Sequence, residues 1–248
     1  MLTESAWDTL RKSLTDAGCY QTSSWRATAE GILWRMRTGS PWRDLPPEFG
    51  PWNTVYRRFN RWVRSGIIDI ILELVEGVPD YRTAYIDGSY VRAHQHASGC
   101  AKTEESAIGP SRGGQTTKLH GVCDRRGQPV GIGITAGNVS DLAYAETIVE
   151  DLAEVFDEIV GDKGYDSDSF RLDILQGSSV PVIPIKANSS RPNPGFHKAK
   201  YKKRHRIENL FARLKHFRGI ATRYDKLKLI FEGTVKMGLI AIWLGVTI

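Results

Sequence analysis

The chain of 248 residues carries 34 Lys and Arg against 28 Asp and Glu, a net charge of +6, with 41% hydrophobic and 25% charged residues. That length suits one large domain or a domain with a small appendage, and the composition excludes disordered, collagen-like and low-complexity chains. Three cysteines (Cys19, Cys100, Cys123) without a Cys-x-x-Cys pair make a disulfide framework unexpected and point to a reducing, cytoplasmic compartment.

The first residues show no basic-then-apolar export signal. Residues 1–80 read as short helices. A helix over residues 25–36 is ended by Gly39, Ser40 and Pro41, and the pairs Pro46-Pro47 and Gly50-Pro51 enforce a turn. From a cap region at Asn53 and Thr54, a second helix runs to Arg64. Val55, Phe59, Trp62 and Val63 share one of its faces, and Arg57, Arg58, Arg61 and Arg64 share the other. Residues 1–80 are therefore expected to form a helical, helix-turn-helix-like module, with Arg57, Arg58 and Arg61 directed at DNA.

After Asp80 the pattern changes, and residues 81–248 are expected to form a second domain. Residues 83–90 alternate like a strand, residues 97–114 read as a polar loop, and residues 117–124 and 129–136 form a hairpin. A helix is expected over 141–156, begun by Asp141 as its N-cap, with Leu142, Ala145, Ile148, Val149, Leu152 and Phe156 inward. A strand over 158–161 ends at Asp162, a helix covers 166–175 and a last strand 180–185. A linker with Pro192 and Pro194 leads to a long helix over 201–217. The apolar run 237–248 is shorter than the ~20 residues a bilayer requires and is expected to be a core helix, so no membrane partner is expected. Strand, hairpin, helix, strand, helix, strand, helix gives a mixed sheet with helices on both faces, the element order of a ribonuclease H-like α/β domain.

Charge is unevenly spread along this order. Residues 1–80 balance at ten basic and ten acidic, residues 81–197 carry eleven against fifteen, and residues 198–228 carry twelve against two. A basic segment beside an acidic region points to a polyanion partner and a carboxylate-rich site in one molecule. Asp87 stands mid-strand, where Asp is depleted, and is followed by Gly88, which lets other groups approach the backbone. Asp162 closes a strand at its carboxyl end, where open α/β sheets place ligands. Glu208 is the lone acid in the basic helix. At ~100° per residue, Tyr201, Arg204, Glu208 and Lys215 fall within roughly 60° of one another, beside an apolar stripe of Ile207, Leu210, Phe211, Leu214 and Phe217. Asp87, Asp162 and Glu208 converging on one point would repel unless a hard cation, Mg²⁺ or Mn²⁺, neutralised them. Two such ions ~3.5–4 Å apart serve phosphodiester chemistry, with Arg204 and Lys215 on phosphate oxygens and Tyr201 against the nucleic acid.

These motifs resemble the DDE transposases of IS4/IS5-type bacterial insertion sequences. Tyr201, Arg204, Glu208 and Lys215 match the family's Y-R-E-K signature. The segments around Asp87 (IDGS, then RAHQH at residues 92–96) and Asp162 (GDKGYD, residues 161–166) resemble its first and second Asp motifs. Residues 30–59 resemble its amino-terminal module. The resemblance implies Asp87, Asp162 and Glu208 as metal-binding catalytic triad and Tyr201, Arg204 and Lys215 as contacts to transposon-end DNA. It further implies Mg²⁺-dependent cutting at terminal inverted repeats, joining of 3′-hydroxyls to target DNA, a homodimer when two ends are synapsed, and a nucleoid-associated, cytoplasmic protein. Ser140 stands before Asp141 where many relatives would carry His. A ribonuclease H-fold nuclease without strand transfer, or a catalytically silent DNA-binding regulator, is the alternative.

Three further features complete the sequence. His94, His96, Cys100, His120 and Cys123 fit no zinc-ligand spacing, so zinc is not expected. His94 and His96 are placed beside the active site as phosphate or substrate contacts. Lys118 is expected on the second strand, within reach of DNA, and Lys163 and Tyr165 adjoin Asp162.

Overall fold

In the computed structural model, residues 2–98, 106–186, 192–193 and 196–246 are described. Four helices open the chain: α1 (Glu4–Asp16), α2 (Trp25–Thr38), α3 (Trp52–Arg64) and α4 (Ile67–Val75). Thr3 caps α1 by accepting the Ala6 N–H, and Gly39 ends α2 in the left-handed region at φ 70°. Helix α3 starts at Trp52 directly after Pro51, not at the expected cap region of Asn53 and Thr54. Its apolar face, Val55, Phe59, Trp62 and Val63, is buried as its periodicity requires. The connection from α2 to α3, residues 39–51, holds two 3₁₀ turns (Trp42–Asp44 and Pro47–Phe49). This is much longer than the three- or four-residue turn of a helix-turn-helix, so the expected motif geometry is not formed.

The sheet begins with β1 (Ala84–Ala93), followed by the single-turn α5 (Gln95–Ser98), β2 (Gly109–Ser111), β3 (Gly114–Cys123) and β4 (Pro129–Ala136). The expected hairpin is β3–β4, turned at Gly127 with φ 80°. Then come α6 (Asp141–Ala145), α7 (Val149–Val155), β5 (Glu158–Val160), α8 (Asp168–Gln176), β6 (Val180–Val182), α9 (Lys198–Tyr201), α10 (His205–His216), α11 (Arg218–Ala221), β7 (Thr222–Arg223) and α12 (Lys228–Trp243). Strand β1 lies at the centre, antiparallel to β3 and parallel to β5; β4 lies beyond β3, β6 beyond β5, and β7 runs along the end of β1. This is a mixed sheet with flanking helices behind an all-helical segment, the ribonuclease H-like arrangement.

Two of the expected helices are interrupted. The helix over 141–156 breaks at Glu146–Ile148, where Ile148 leaves helical geometry (φ −123°, ψ 0°). The helix over 201–217 is α9, a 3₁₀ turn (Lys202–Arg204) and α10. The loop expected over 97–114 contains β2, and its residues 99–105 lie outside the described residues, as does most of the linker before α9.

One face of the sheet packs on α10, α12 and the amino-terminal helices in a continuous core that includes Tyr85, Val91, Ile207, Leu210 and Phe231. The opposite face packs on α6–α8 through Ile86, Val122, Val149, Phe156 and Phe170. Helix α12 fulfils the expectation of a buried C-terminal helix, and it approaches α3 so closely that a Cβ on Gly233 would stand 2.3 Å from Val63. Arg35 on α2 and Asp225 before α12 form a salt bridge at 3.2 Å, with their side chains 4% and 8% exposed. Among the described residues no helix is long and apolar enough to cross a membrane.

Candidate active site

Alternation along β1 decides which side chains meet which helix. Tyr85, Asp87, Ser89 and Val91 share one face, and Tyr85 and Val91 belong to the core on the α10 side. The β1–β5 register pairs Ala84 with Ile159 and Tyr85 with Val160. Carried two residues further, past the end of β5, it sets Asp87 opposite Asp162. On the other side of β1, Asp87 pairs with Gly121 of β3, and a Cβ on Gly121 would meet Phe211 at 2.9 Å and Ile207 at 3.2 Å. Gly121 thus lets α10 lie close over the sheet beside Asp87, and Glu208 sits between those two anchoring side chains in sequence.

Arg204 joins the two elements. Its Nη1 donates to Asp87 Oδ2 at 2.7 Å and its Nη2 to Glu208 Oε1 at 2.5 Å. Burial pushes the Asp87 carboxyl above its usual range; Arg204 and the Gly88 N–H pull it down, and the Asp162 carboxylate pushes it up again. Burial works against the Arg204 charge, yet Asp87 and Glu208 together hold its pKa above the ordinary value. Asp162 Oδ1 accepts the Gly164 N–H at 2.7 Å, so this residue also caps the 3₁₀ turn Lys163–Tyr165. Lys163 is exposed; Tyr165 is buried, and burial first, then Asp141, Asp87 and Asp162, raise its phenol far above the ordinary value.

The rest of the Y-R-E-K row stands around this centre. Lys215 Nζ donates to Ser89 Oγ at 2.7 Å and to the Tyr90 carbonyl at 2.9 Å, and burial lowers its pKa. Tyr201 packs on Phe196 with ring centroids 5.5 Å apart. Two residues expected to reach DNA are committed to protein partners instead. Lys118 is 3% exposed and donates to the Val139 carbonyl at 2.8 Å. Arg58 donates to Ser24 Oγ and Thr28 Oγ1, clipping α3 to α2. Arg57 and Arg61 are exposed on the outer face of α3.

Asp141 holds a place that its position in the sequence did not reveal. Ser140, not Asp141, caps α6, its hydroxyl accepting the Ala143 N–H at 3.1 Å. The Asp141 carboxylate lies against Gly88, where an added Cβ would be 1.8 Å from its Oδ1, and its Oδ2 is 3.4 Å from Lys118 Nζ. His120 Nδ1 stands 3.5 Å from Oδ1, and its ring stacks on Tyr144 at 4.2 Å. Burial lowers the His120 pKa to about 4, so this ring is neutral at pH 7. The glycine beside a mid-strand Asp was the only signal of this approach.

Among the described residues no three His, Cys, Asp or Glu side chains converge to hold a metal ion as they stand. Cys100 lies outside the described residues, and burial pushes the Cys123 thiol up to about 12. His94 and His96 follow β1 at the opposite end of the strand from its Ala84 start, and the His94 ring contacts both His96 and Tyr224. Asp87, Asp162 and Glu208 do suit a hard divalent cation in donor chemistry: all are carboxylates, Asp87 and Glu208 already share one cation in Arg204, and Asp162 adds a repulsion that a bound cation would relieve.

The raised carboxyl of Asp87 has a consequence for stability. A folded-state pKa above the unfolded one contributes stability that is complete below the unfolded value, about 3.9, and is lost as pH rises through the folded value. Ionised Asp87 therefore works against the fold at neutral pH. Asp87→Asn is expected to raise the midpoint of thermal unfolding at pH 7, with the gain vanishing near pH 3; an equal or lower midpoint at pH 7 would contradict the assigned environment.

Two family models match the chain. Residues 2–72 match the model described as a putative transposase of the IS4/5 family, and residues 79–244 match the transposase DDE domain. A putative transposase for insertion sequence element IS6501 of Brucella ovis is 36% identical over 130 residues, which is 52% of this chain and 98% of that protein. An uncharacterized protein, y4sN, of Sinorhizobium fredii is 38% identical over 79 residues, 32% of this chain and 63% of its own length. An uncharacterized 16.2 kDa protein of insertion element IS402 from Burkholderia cepacia is 37% identical over 76 residues, 27% of this chain and 52% of its own. No solved structure matches the chain. With the transposase DDE domain matched over residues 79–244, more than half of the chain, and an IS4/5 module ahead of it, the chain belongs to the DDE transposase family of the IS4/IS5 type.

Proposed function

We propose that the protein cuts DNA at the terminal inverted repeats of an insertion sequence and joins the freed 3′-hydroxyls to target DNA. Both are phosphoryl transfers, in which an oxygen attacks a phosphodiester and the bond to the strand's other oxygen breaks. The observation that carries this reading is the strand register that sets Asp87 opposite Asp162, together with the Arg204 bridge from Asp87 to Glu208. Asp87, Asp162 and Glu208 would hold divalent cations of the Mg²⁺ or Mn²⁺ class, which supply activation of the attacking oxygen and neutralisation of charge on the leaving one. Arg204 presents a planar donor fork at the same point, suited to phosphate oxygens. Lys215 of α10, anchored to Ser89 Oγ and the Tyr90 carbonyl, fixes a positive charge against the strand that carries Asp87. Tyr201, at the start of the basic segment, lies against the approaching strand. Positioning and electrostatic stabilisation supply most of the rate in such a site. A homodimer synapsing two ends, acting in the cytoplasm at the nucleoid, belongs to the same proposal, as does the organisation into a helical module of residues 1–80 and a catalytic domain of residues 81–248.

Incubation with flanking terminal-repeat DNA and Mg²⁺ tests it. Cutting with strand joining is the expected result; cutting alone identifies a nuclease and binding alone a regulator. Binding is also expected to weaken with salt in proportion to the phosphates contacted. Lys202 and Lys203 are exposed at the entry to α10. Replacing either with Ala should reduce the slope of log K against log salt by about 0.9. An unchanged slope in a fluorescence-anisotropy titration would remove them from the DNA interface.

A further inference from the structure

A groove of about 680 Å³ lies between α3 and the segment that follows β7, away from the carboxylates. Its α3 wall is the row Trp52, Tyr56, Asn60 and Arg64, spaced four residues apart and so stacked along one side of the helix. Trp52 and Tyr56 are 37% and 38% exposed, unusual for large rings on a solvent-facing row that the apolar stripe of the same helix does not need. Trp42 lies behind Tyr56 with ring centroids 5.5 Å apart, and the Arg43 guanidinium stands 5.8 Å over Trp52. Across the groove stand Tyr224, 37% exposed and 4.8 Å from the His94 ring, and Lys226. The sole acid in the lining, Asp225, is already neutralised by Arg35. The groove therefore offers flat rings on both walls and uncompensated positive charge at its rim.

We propose that this groove binds unpaired nucleotides of a DNA strand, with bases between the aromatic walls and phosphates on Arg64 and Lys226. The ring faces exclude a paired duplex as occupant, because stacking inside a duplex hides the faces of its bases; an unpaired base presents them. The cationic rim fits a polyanion and disfavours a purely apolar ligand. The proposal deepens the DNA reading given above and rests on it for the identity of the strand. Seven residues of β1 separate Asp87 from His94, roughly 23 Å at about 3.3 Å per residue. That distance equals about seven base steps at 3.4 Å each, so the unpaired positions would lie about seven nucleotides from the phosphate at the carboxylates.

The test uses the full chain without divalent cations and reads binding alone. An eight-residue oligothymidylate, titrated while tryptophan fluorescence is followed, is expected to quench emission and saturate. Trp52→Ala and Tyr224→Ala are each expected to weaken that binding about tenfold, as loss of one base-stacking contact does, while Trp52→Phe retains most of it. Circular dichroism confirms that each variant is folded; should Trp52→Ala not fold, Tyr224→Ala and Trp52→Phe decide. A second arm compares a fully paired terminal-repeat duplex with one carrying two mismatched positions about seven nucleotides from the cut. Preference for the mismatched duplex, lost in Tyr224→Ala, supports the proposal. Absence of quenching, or oligothymidylate binding unchanged in both alanine variants, overturns it. If oligothymidylate binding behaves as expected but terminal-repeat DNA is neither cut nor joined, the transposition reading fails and the groove stands; the reverse pattern removes the groove alone.

Discussion

Asp87→Ala, Asp162→Ala and Glu208→Ala will each abolish cleavage of terminal-repeat DNA, lowering the rate at least about 1,000-fold while leaving duplex binding within a few fold. The magnitude follows from the chemistry proposed. Neutralising charge on a transferring phosphoryl group contributes several kcal/mol to the transition state, and each 1.36 kcal/mol is tenfold in rate. Binding survives because phosphate contacts made by exposed Lys and Arg side chains, not the carboxylates, hold the duplex. Of the three, Glu208→Ala is the most informative. Its side chain is 53% exposed and its partner Arg204 keeps Asp87, so little structural damage is expected. Single-turnover cleavage in Mg²⁺ with parallel anisotropy titrations separates the two effects. Retained cleavage in all three variants would end the assignment of the site.

The second large effect concerns how the amino-terminal helices are fixed to the rest. Arg35 donates to both oxygens of Asp225, at 3.4 and 3.2 Å, across most of the chain in sequence, and both side chains are almost fully buried. Thr234 on α12 also donates to Asp225, and the Arg35 guanidinium lies 5.2 Å over the Trp42 ring. Removing one partner of such a pair strands a charge in a low-dielectric interior and costs about 3–5 kcal/mol. Arg35→Met is thus expected to lower the unfolding midpoint by roughly 6–20 °C, taking about 2–4 °C per kcal/mol for a chain of this size. The double replacement Arg35→Met with Asp225→Leu should recover much of the loss, because no unpaired charge remains. A single variant within 2 °C of the parent would show that the pair is solvated in solution. Since Arg35 and Asp225 also line the aromatic groove, the single variants should disturb oligothymidylate binding as well.

Much of this arrangement was legible before any coordinates. Asp87 was conspicuous because a central strand disfavours Asp, and Gly88 next to it announced a close approach. The close group turned out to be Asp141, 53 residues further along the chain than Gly88, and no local pattern could have named it. The apolar face of α3 follows directly from its 3.6-residue period. The basic row of the same helix gave no means of separating Arg58, held by Ser24 and Thr28, from the exposed Arg57 and Arg61. Lys118 looked like a surface lysine on a strand, yet β1 and β4 flank β3 on both sides and bury it. A 3₁₀ turn over Lys202–Arg204 shifts the phase of Tyr201 relative to Glu208, which a uniform 100° per residue does not anticipate. Arg204 and Glu208 remain one turn apart and meet as expected.

Taken alone, the amino-acid order determined most of the element types, the two faces of the amphipathic helices, the buried C-terminal helix and the identity of the acidic and basic residues that stand out from their surroundings. These depend on local periodicity and on the cost of placing a charge in a strand or core, both of which act within a few residues. Only the tertiary structure decided which charges are free and which are spent: the Arg204 bridge, the Lys118 and Asp141 pair, the clip made by Arg58 and the salt bridge of Arg35 with Asp225. Partners separated by tens to hundreds of residues are chosen by strand register and by how closely helices can approach at Gly88, Gly121 and Gly233, and those contacts exist only once the sheet is assembled.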